Sequence, residues 1–330
     1  MTRPIIGRVA PEQRRTSGAP VPGPQVPAEP GTARIAVDLL GGDHAPAVVV
    51  DGALRACRAD PTLQLLLAGP AEAAEPLLHA LDPKDRDRVR LLAPGPPRTD
   101  FGVRAAVLAV AQGQADAVVS AGDTGATVTS AALRLGRWPG VRRPALAAVL
   151  PTVAGRIVLL DVGSSVDPDE ATVAVHARLG AAYAHAVHDV ERPRVGLLTI
   201  GTERGKGDRL RRALPTVLAA LDLPGDAAYA GLVEGNDVVT GSAADVVLTD
   251  GFTGNVLLKG LETAYAALGT PGTARPPRAA VLLGVAGTVV VCHGAAGADD
   301  LAAGIAFAAD LHRRAAVPAV AGLIDIPEVS

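Results

Sequence analysis

The chain has 330 residues, of which 31 are basic and 34 acidic, so its formal net charge is -3 at pH 7. This balance offers no bulk electrostatic attraction to nucleic acid, which is therefore not expected as a partner. Only three of the 31 basic residues are lysines (Lys84, Lys206 and Lys259), which leaves 28 arginines, and the only asparagines are Asn236 and Asn255. A lysine or asparagine that persists in such a composition is a candidate functional residue.

Residues 1–31 are predicted to be a disordered Pro-rich tail, because seven prolines fall there and no apolar run is long enough for a signal peptide. Residues 32–330 are predicted to form a single domain. The longest apolar stretch, from Val281 to Cys292, is well short of the roughly 20 residues that span a bilayer. Cys57 and Cys292 lie far apart without a CxxC motif, so neither a disulfide framework nor a zinc site is expected and the reducing cytoplasm fits best.

From Arg34 onward, short Val/Leu/Ile runs alternate with longer Ala/Leu/Arg segments at helical spacing, which indicates repeated β-α units. Strands are predicted near residues 34–38, 63–68, 89–93, 116–120, 145–150, 157–161, 194–200, 245–249 and 287–292. Helices are predicted near residues 46–58, 71–80, 102–113, 124–136, 170–188, 207–221, 254–268 and 298–315. The predicted fold class is α/β, a three-layer α/β/α sandwich with a mostly parallel sheet.

Glycine-bearing loops follow six of the predicted strands. In a parallel sheet such loops meet helix N-termini, whose backbone N–H groups attract anions. We therefore expect all six loops at one edge of the sheet, around a site for an anion. Their sequences run through residues 38–44, 120–125, 161–167, 200–207, 250–255 and 293–294.

The glycine-rich segment from Gly201 to Gly207 does not match a P-loop. That motif has four residues between its glycines and a hydroxyl residue after the lysine, whereas this segment has three residues and a glycine. The chain also lacks GxGxxG, GxSxG and HExxH motifs, so dinucleotide binding, serine hydrolysis and zinc proteolysis have no motif to support them.

Two lysines stand near glycine-rich turns and have a functional and a structural interpretation. Lys206 could supply a point charge to a phosphate or an oxyanion, and its role as an ordinary surface lysine is an equal alternative. For Lys259, predicted in the first turns of a helix, the surface interpretation is preferred. Asp38 is at least as well explained as a helix or loop cap, and His44 and His293 as polar residues at the mouth of a site.

Taken in order, the loops resemble one family, PlsX, the phosphate acyltransferases of bacterial phospholipid synthesis. Many motifs in one order are more specific than any single motif. The matching stretches are residues 35–46, 115–126, 143–148, 150–152, 193–198, 201–207, 233–235, 245–247, 250–256, 283–285 and 293–294.

The resemblance implies transfer of a fatty acyl group from acyl carrier protein to inorganic phosphate, giving acyl phosphate. It implies a fold like that of isocitrate and isopropylmalate dehydrogenases and of phosphotransacetylase, a homodimer, no metal, no organic cofactor, and a cytoplasmic protein with at most peripheral contact to the inner membrane face. Lys206 and Asn255 match the motif residues expected to act directly, on the phosphate and on the thioester oxygen. The expected substrate-binding residues are Asp38, Gly41, Gly42, His44, Gly122, Asp123, Thr124, Gly125, Gly254 and His293.

The chain departs from the family pattern in several of these loops. Phe101-Gly102 replaces a Ser-Ser pair, Asp123 an Asn, and Ser164-Ser165 an Ala-Asn pair, while Thr199 replaces an Asn and Ala295-Ala296 a Ser-Ser pair. Between Glu262 and Pro277 the chain also lacks most of a long helical hairpin that the family uses for dimerisation and membrane contact.

These departures leave two alternatives beside the leading hypothesis. One is a related acyltransferase that uses acyl-CoA or a specialised carrier protein. The other is a catalytically weakened paralogue that binds carrier protein without turnover.

Overall fold

The computed structural model describes residues 31–92, 101–203, 205–269 and 278–324. Except for Gly31, the predicted Pro-rich tail lies outside the described residues. In the described part of the chain no helix combines the length and the hydropathy that crossing a membrane requires.

Eleven strands and eleven helices lie in the described part of the chain, and most strands are followed by a helix. The strands are β1 (Ala33–Asp38), β2 (Leu63–Ala68), β3 (Val89–Leu91), β4 (Ala117–Ser120), β5 (Ala145–Thr152), β6 (Gly155–Leu160), β7 (Arg194–Leu198), β8 (Ala228–Val233), β9 (Val246–Leu248), β10 (Ala279–Leu283) and β11 (Thr288–Cys292). The helices are α1 (Ala47–Ala59), α2 (Ala71–Ala80), α3 (Pro83–Arg86), α4 (Phe101–Ala111), α5 (Thr124–Arg134), α6 (Glu170–His188), α7 (Arg209–Ala219), α8 (Gly235–Thr240), α9 (Gly251–Leu268), α10 (Ala298–Arg313) and α11 (Ala316–Gly322).

All the strands form one sheet in the order β3-β2-β1-β4-β11-β10-β5-β6-β9-β7-β8. Strands β3, β2, β1, β4 and β11 run parallel to one another, and so do β6, β9, β7 and β8. The three pairings between these halves are antiparallel, namely β11 with β10, β10 with β5, and β5 with β6. Because these three successive pairings are antiparallel, the strands of the second half run in the opposite direction to those of the first.

Two apolar cores lie on the two faces of the sheet. Helices α1, α2, α6, α7, α10 and α11 contribute to the larger core. Helices α4, α5 and α8 contribute buried residues to the smaller core, and α9 packs against it with half-buried leucines. Helices on both faces of a mostly parallel sheet make the predicted three-layer α/β/α sandwich, so the predicted fold class is confirmed.

The topology corrects the prediction that the six glycine-bearing loops share one edge. Because the second half of the sheet runs against the first, the loops after β1, β4 and β11 leave one edge and those after β6, β7 and β9 leave the opposite edge. The two groups still meet above the face of the sheet. A Cβ added to Gly163, after β6, would lie 3.9 Å from the Cγ2 of Thr124, after β4.

Two strands were absent from the prediction. Strand β10 overlaps the start of the apolar run from Val281 to Cys292. Gly284 divides this run by adopting a positive φ of 91°, so that β10 and β11 form an antiparallel pair. Strand β8 lies at the sheet edge and is rich in alanine and glycine, which are poor strand signals. The segment from Asp250 to Asn255 was predicted as a loop, but helix α9 already begins at Gly251.

Candidate active site

A cavity of about 740 Å³ lies above the central strands and beside helix α9. Its apolar lining includes alternate residues of β5, since Leu146, Ala148 and Leu150 point to the same face of the sheet. Ala280 of β10 and Val291 of β11 extend this apolar lining. The cavity thus lies where the direction of the sheet reverses.

One face of α9 forms a polar wall of the cavity. Asn255, Lys259, Glu262 and Tyr265 all line it, and their spacing of four, three and three residues places them on one side of a helix. Asp250 caps the start of the helix by accepting a hydrogen bond from the Thr253 N–H.

The start of α9 is held against the loop that follows β6. Gly254 packs so closely on the carbonyl of Asp161 that a Cβ there would overlap it, and the Gly251 N–H donates to the carbonyl of Ser165 at 2.8 Å. Only a glycine lets the helix approach this loop so closely. The position of Asn255 is therefore set by backbone contacts.

Asp161 organises the same loop from within. Its side chain is fully buried and accepts hydrogen bonds from the backbone N–H groups of Leu146, Gly163, Ser164 and Ser165. The Ser164 hydroxyl also donates to it at 2.7 Å. A buried carboxylate with so many donors fixes the loop in one conformation.

The side chain of Asn255 is oriented by this loop. Its Nδ2 donates to the carbonyl of Val162 at 3.0 Å. A carboxamide has a second N–H and a carbonyl oxygen, and these can serve a ligand in the cavity. Asn255 is therefore a donor held in place before any substrate binds.

The loops after β1 and β4 pack backbone against backbone. A Cβ on Gly41 would lie 2.5 Å from the amide nitrogen of Gly122, so this contact requires glycine. Asp38 lies beneath both loops, 4% exposed, and accepts hydrogen bonds from the Ser120 hydroxyl at 2.7 Å and the Leu40 N–H at 3.0 Å. Burial raises the pKa of Asp38. Asp38 supports the loops and does not line the cavity.

The wall across from α9 carries His293, which follows β11. The Ala295 N–H lies 3.3 Å from its Nδ1. Burial, followed by the nearby charge of Lys259, lowers the pKa of His293 and so favours the neutral ring. Asp43 lies beside it, because the Asp43 N–H donates to the carbonyl of Gly294 at 2.8 Å.

Among the described residues three cations line the cavity, and they differ in their partners. Arg55 pairs with Asp51 and Asp299 at 2.8 and 2.5 Å. Arg278 donates to the carbonyl of Glu262 at 3.2 Å and lies 3.8 Å from Asp300. Lys259 is exposed and has no ion-pair partner within 4 Å among the described residues.

Lys206 lies outside this lining. It is exposed on the loop after β7, at the edge of the sheet where α9 begins. The neighbouring Arg211 is buried and ties this region to α9. Its guanidinium contacts Asp208, the N-cap of α7, at 2.8 Å, and also Asp250, the N-cap of α9.

The structure brings together only part of the predicted substrate-binding set. Gly122, Thr124, Asn255 and His293 line the cavity. Gly41, Gly42 and Gly254 shape the backbone around it, with Gly42 at a positive φ of 112°. His44 is exposed and lies outside the lining.

Two further predicted residues, Asp123 and Gly125, line a smaller groove on the far side of the same loop. Asp123 caps α5, since its Oδ1 accepts from the Ala126 N–H at 2.7 Å.

Several residues of the site were not predicted as functional from the sequence. Lys259 was considered and given a surface role, while Asp161, Glu262, Tyr265 and Arg278 were not singled out. The helical spacing from Asn255 was the available signal for Lys259 and Glu262. No signal in the sequence indicates Arg278, because it is separated from α9 by residues whose path the pattern does not predict. Among the described residues no group of three or more His, Cys, Asp or Glu side chains is arranged to hold a metal ion.

A family model described as "Fatty acid synthesis protein" matches residues 33–95 and 97–270. The phosphate acyltransferase of Thermobifida fusca (strain YX) is 41% identical over 324 residues, covering 86% of this chain and 88% of that protein. The phosphate acyltransferase of Phenylobacterium zucineum (strain HLK1) is 37% identical over 318 residues, covering 84% and 89%.

Two solved structures share the fold. A branched-chain phosphotransacylase from Enterococcus faecalis V583 aligns with a TM-score of 0.61 at 16% identity, over 86% of this chain and 99% of that one. A phosphotransacetylase from Streptococcus pyogenes aligns with a TM-score of 0.58 at 20% identity, over 84% and 94%.

Proposed function

The chain belongs to the fatty acid synthesis protein family and is an acyltransferase with phosphate as acceptor, and from this premise we propose that its donor is the fatty acyl thioester of acyl carrier protein. The observation that carries the proposal is the cavity itself. Its apolar lining on β5, β10 and β11 suits an acyl chain, and its polar face on α9 suits the thioester and phosphate.

The reaction forms one C–O bond and breaks one C–S bond. An oxygen of hydrogen phosphate attacks the thioester carbonyl, the tetrahedral oxyanion collapses, and the thiolate leaves and takes up the proton released by phosphate. The products are acyl phosphate and the free carrier thiol. Positioning of phosphate and stabilisation of the oxyanion supply the catalysis, because thiolate is a good leaving group.

Asn255 is proposed to stabilise the oxyanion with its free N–H. Donors held in place before reaction stabilise developing charge at no cost of reorganisation. The backbone N–H of Thr124, where α5 begins, is proposed to hold phosphate together with those of Gly42 and His44. The N–H groups of Gly122 and Asp43 already donate to the Ser120 hydroxyl and the Gly294 carbonyl. His293 is proposed to influence proton transfer.

Lys206 keeps its proposed role as a cation for phosphate, with the match to the family motif as its support. Lys206→Ala should abolish phosphate-dependent consumption of acyl carrier protein. Turnover equal to that of the wild type would remove Lys206 from the mechanism.

We further propose that residues 32–330 form the single catalytic domain of a cytoplasmic homodimer, with at most peripheral contact to the membrane. The exposed side chains of Phe252 and Val256, on the outer face of α9, support a contact with a second copy. Light scattering of the purified protein tests this state, and a monomeric mass at micromolar concentration would contradict it.

One assay tests the donor. The protein is incubated with phosphate and long-chain acyl carrier protein, and in parallel with acyl-CoA, while acyl phosphate and free thiol are measured. Acyl phosphate formed from the carrier protein supports the proposal. Activity with CoA alone would assign the alternative donor, and binding of carrier protein without turnover would indicate a weakened paralogue.

A further inference from the structure

Lys259 is the lysine that the cavity itself contains. It lies four residues after Asn255 on the same face of α9, which places the two Cβ atoms about 6 Å apart. The cavity is also lined by the carboxylates of Asp43, Glu262 and Asp300. A dianionic phosphate entering this space meets those negative charges and needs a cation that is not already neutralised.

The other two described cations of the lining, Arg55 and Arg278, already interact with carboxylates or carbonyl groups. The charge of Arg55 is shared with two carboxylates, and Arg278 is held by the Glu262 carbonyl and Asp300. Lys259 has no ion-pair partner among the described residues, so its ammonium can approach phosphate without breaking an ion pair. An ammonium on a flexible stem is also an effective phosphate ligand.

The electrostatic influence of Lys259 reaches both walls. Its charge contributes to lowering the pKa of His293 across the cavity. It also opposes the effect of burial, which raises the pKa of Glu262 on its own helix. Its ammonium therefore acts between the wall that carries His293 and the helix that carries Asn255.

We propose that Lys259 is a catalytic residue that binds the inorganic phosphate in the cavity and holds it beside the thioester carbonyl oriented by Asn255. This inference rests on the proposed function and gives the phosphate site a cation that sequence reasoning had placed at the surface. It predicts that loss of Lys259 weakens the binding of phosphate, the acceptor, and leaves the binding of the acyl donor unchanged.

The test compares Lys259→Met with Lys259→Arg in steady-state kinetics, varying phosphate and acyl donor separately. Removing a charge-assisted bond should raise the KM for phosphate by about tenfold or more. The KM for the acyl donor should stay within about twofold, and Lys259→Arg should restore phosphate use to within about fivefold of the wild type. Arg192→Met, at an exposed arginine that does not line the cavity, is the matched control.

The inference is overturned if Lys259→Met retains the wild-type KM for phosphate, or if the Michaelis constants for both substrates rise equally, as a structural defect would cause. A direct measurement uses inorganic phosphate alone, which should raise the Tm of the wild type and of Arg192→Met but not that of Lys259→Met. If the wild type forms no acyl phosphate from any donor, the proposed function fails. The Tm measurement then still decides whether Lys259 binds phosphate.

Discussion

Helix α9 and the loop from Gly201 to Gly207 each carry a lysine that the composition marks as unusual, but their surroundings differ. At the start of α9, Gly254 packs directly on the backbone of Asp161, and the following turns line the cavity. In the loop, a Cβ on Gly205 would meet nothing within 4 Å, and Lys206 is exposed. Both segments match motifs of the family. Only their packing in the structure shows that α9, and not the loop, forms a wall of the described cavity.

The largest expected effect is at the start of α9. Asn255→Ala removes the donor proposed for the oxyanion, so kcat should fall by about 10²- to 10³-fold. Steady-state assays of acyl phosphate formation measure the loss. Asn236→Ala, at the other asparagine of the chain, is the control because Asn236 is exposed on α8. Equal activity of the two variants would remove Asn255 from the mechanism.

The second effect concerns Arg211, which links the N-cap of α7, next to the Lys206 loop, to the N-cap of α9. Arg211→Met leaves the buried carboxylate of Asp250 without its cation, so the free energy of unfolding should fall by about 3 kcal/mol. Urea denaturation measures the change. The control is Arg212→Met, because the exposed Arg212 donates, among the residues the structure describes, to the carbonyl of Gly207 alone. A loss of the same size in both variants would contradict a special role for Arg211.

Two glycine substitutions, one in α9 and one in the Gly201–Gly207 loop, test the difference in packing directly. Gly254→Ala forces a Cβ into the carbonyl of Asp161, so it should destabilise the protein by about 2–3 kcal/mol and impair turnover. Gly205→Ala should cost only about 1 kcal/mol, through its positive φ of 89°, and leave the packing intact. Thermal unfolding and the acyl phosphate assay together measure both variants. Impaired turnover in Gly205→Ala alone would reverse the comparison.

The smallest effect is a pH dependence. Burial acts to raise the pKa of Asp250, but the Thr253 N–H and the Arg211 guanidinium hold it below its usual value. A depressed folded-state pKa contributes stability above the unfolded value of about 4, and the contribution is lost as the pH falls through the folded pKa. The stability difference between the wild type and Arg211→Met should therefore shrink below about pH 4. A difference that stays constant to pH 2 would exclude this linkage.

Much of the fold follows from local pattern. Alternating apolar runs and helical periods predict the β-α order, because each unit buries its apolar side against the sheet. The relative direction of distant strands has no local signal. The reversal at β5 and β10 depends on which strands become neighbours, so the prediction of a single edge for the loops was wrong.

The side chains of the site were also predictable only where a local sequence signal existed. Gly122, Thr124, Asn255 and His293 lie in loops that were predicted from their positions after strands. The family resemblance assigned them to the site, and they line the cavity. Lys259 was interpreted as a surface lysine because a lysine in a helix is usually solvated. It is exposed, and the placement of α9 against the sheet also brings it to the cavity lining, which no local signal predicts. Asp161 resembles any acidic residue after a strand until its five hydrogen bonds are known.

Strand β11 lies between β4 and β10 although more than 160 residues separate β4 from β11 along the chain. Pairings between segments so distant in sequence raise the contact order, which slows folding. A ribosome that has released the chain only as far as β9 has not yet supplied β10 and β11, the two strands that lie between β4 and β5 in the sheet. The cavity therefore forms late, when residues 279–292 insert between β4, which already pairs with β1, and β5, which already pairs with β6. Until then, the apolar edges of β4 and β5 are open to chaperones and to aggregation.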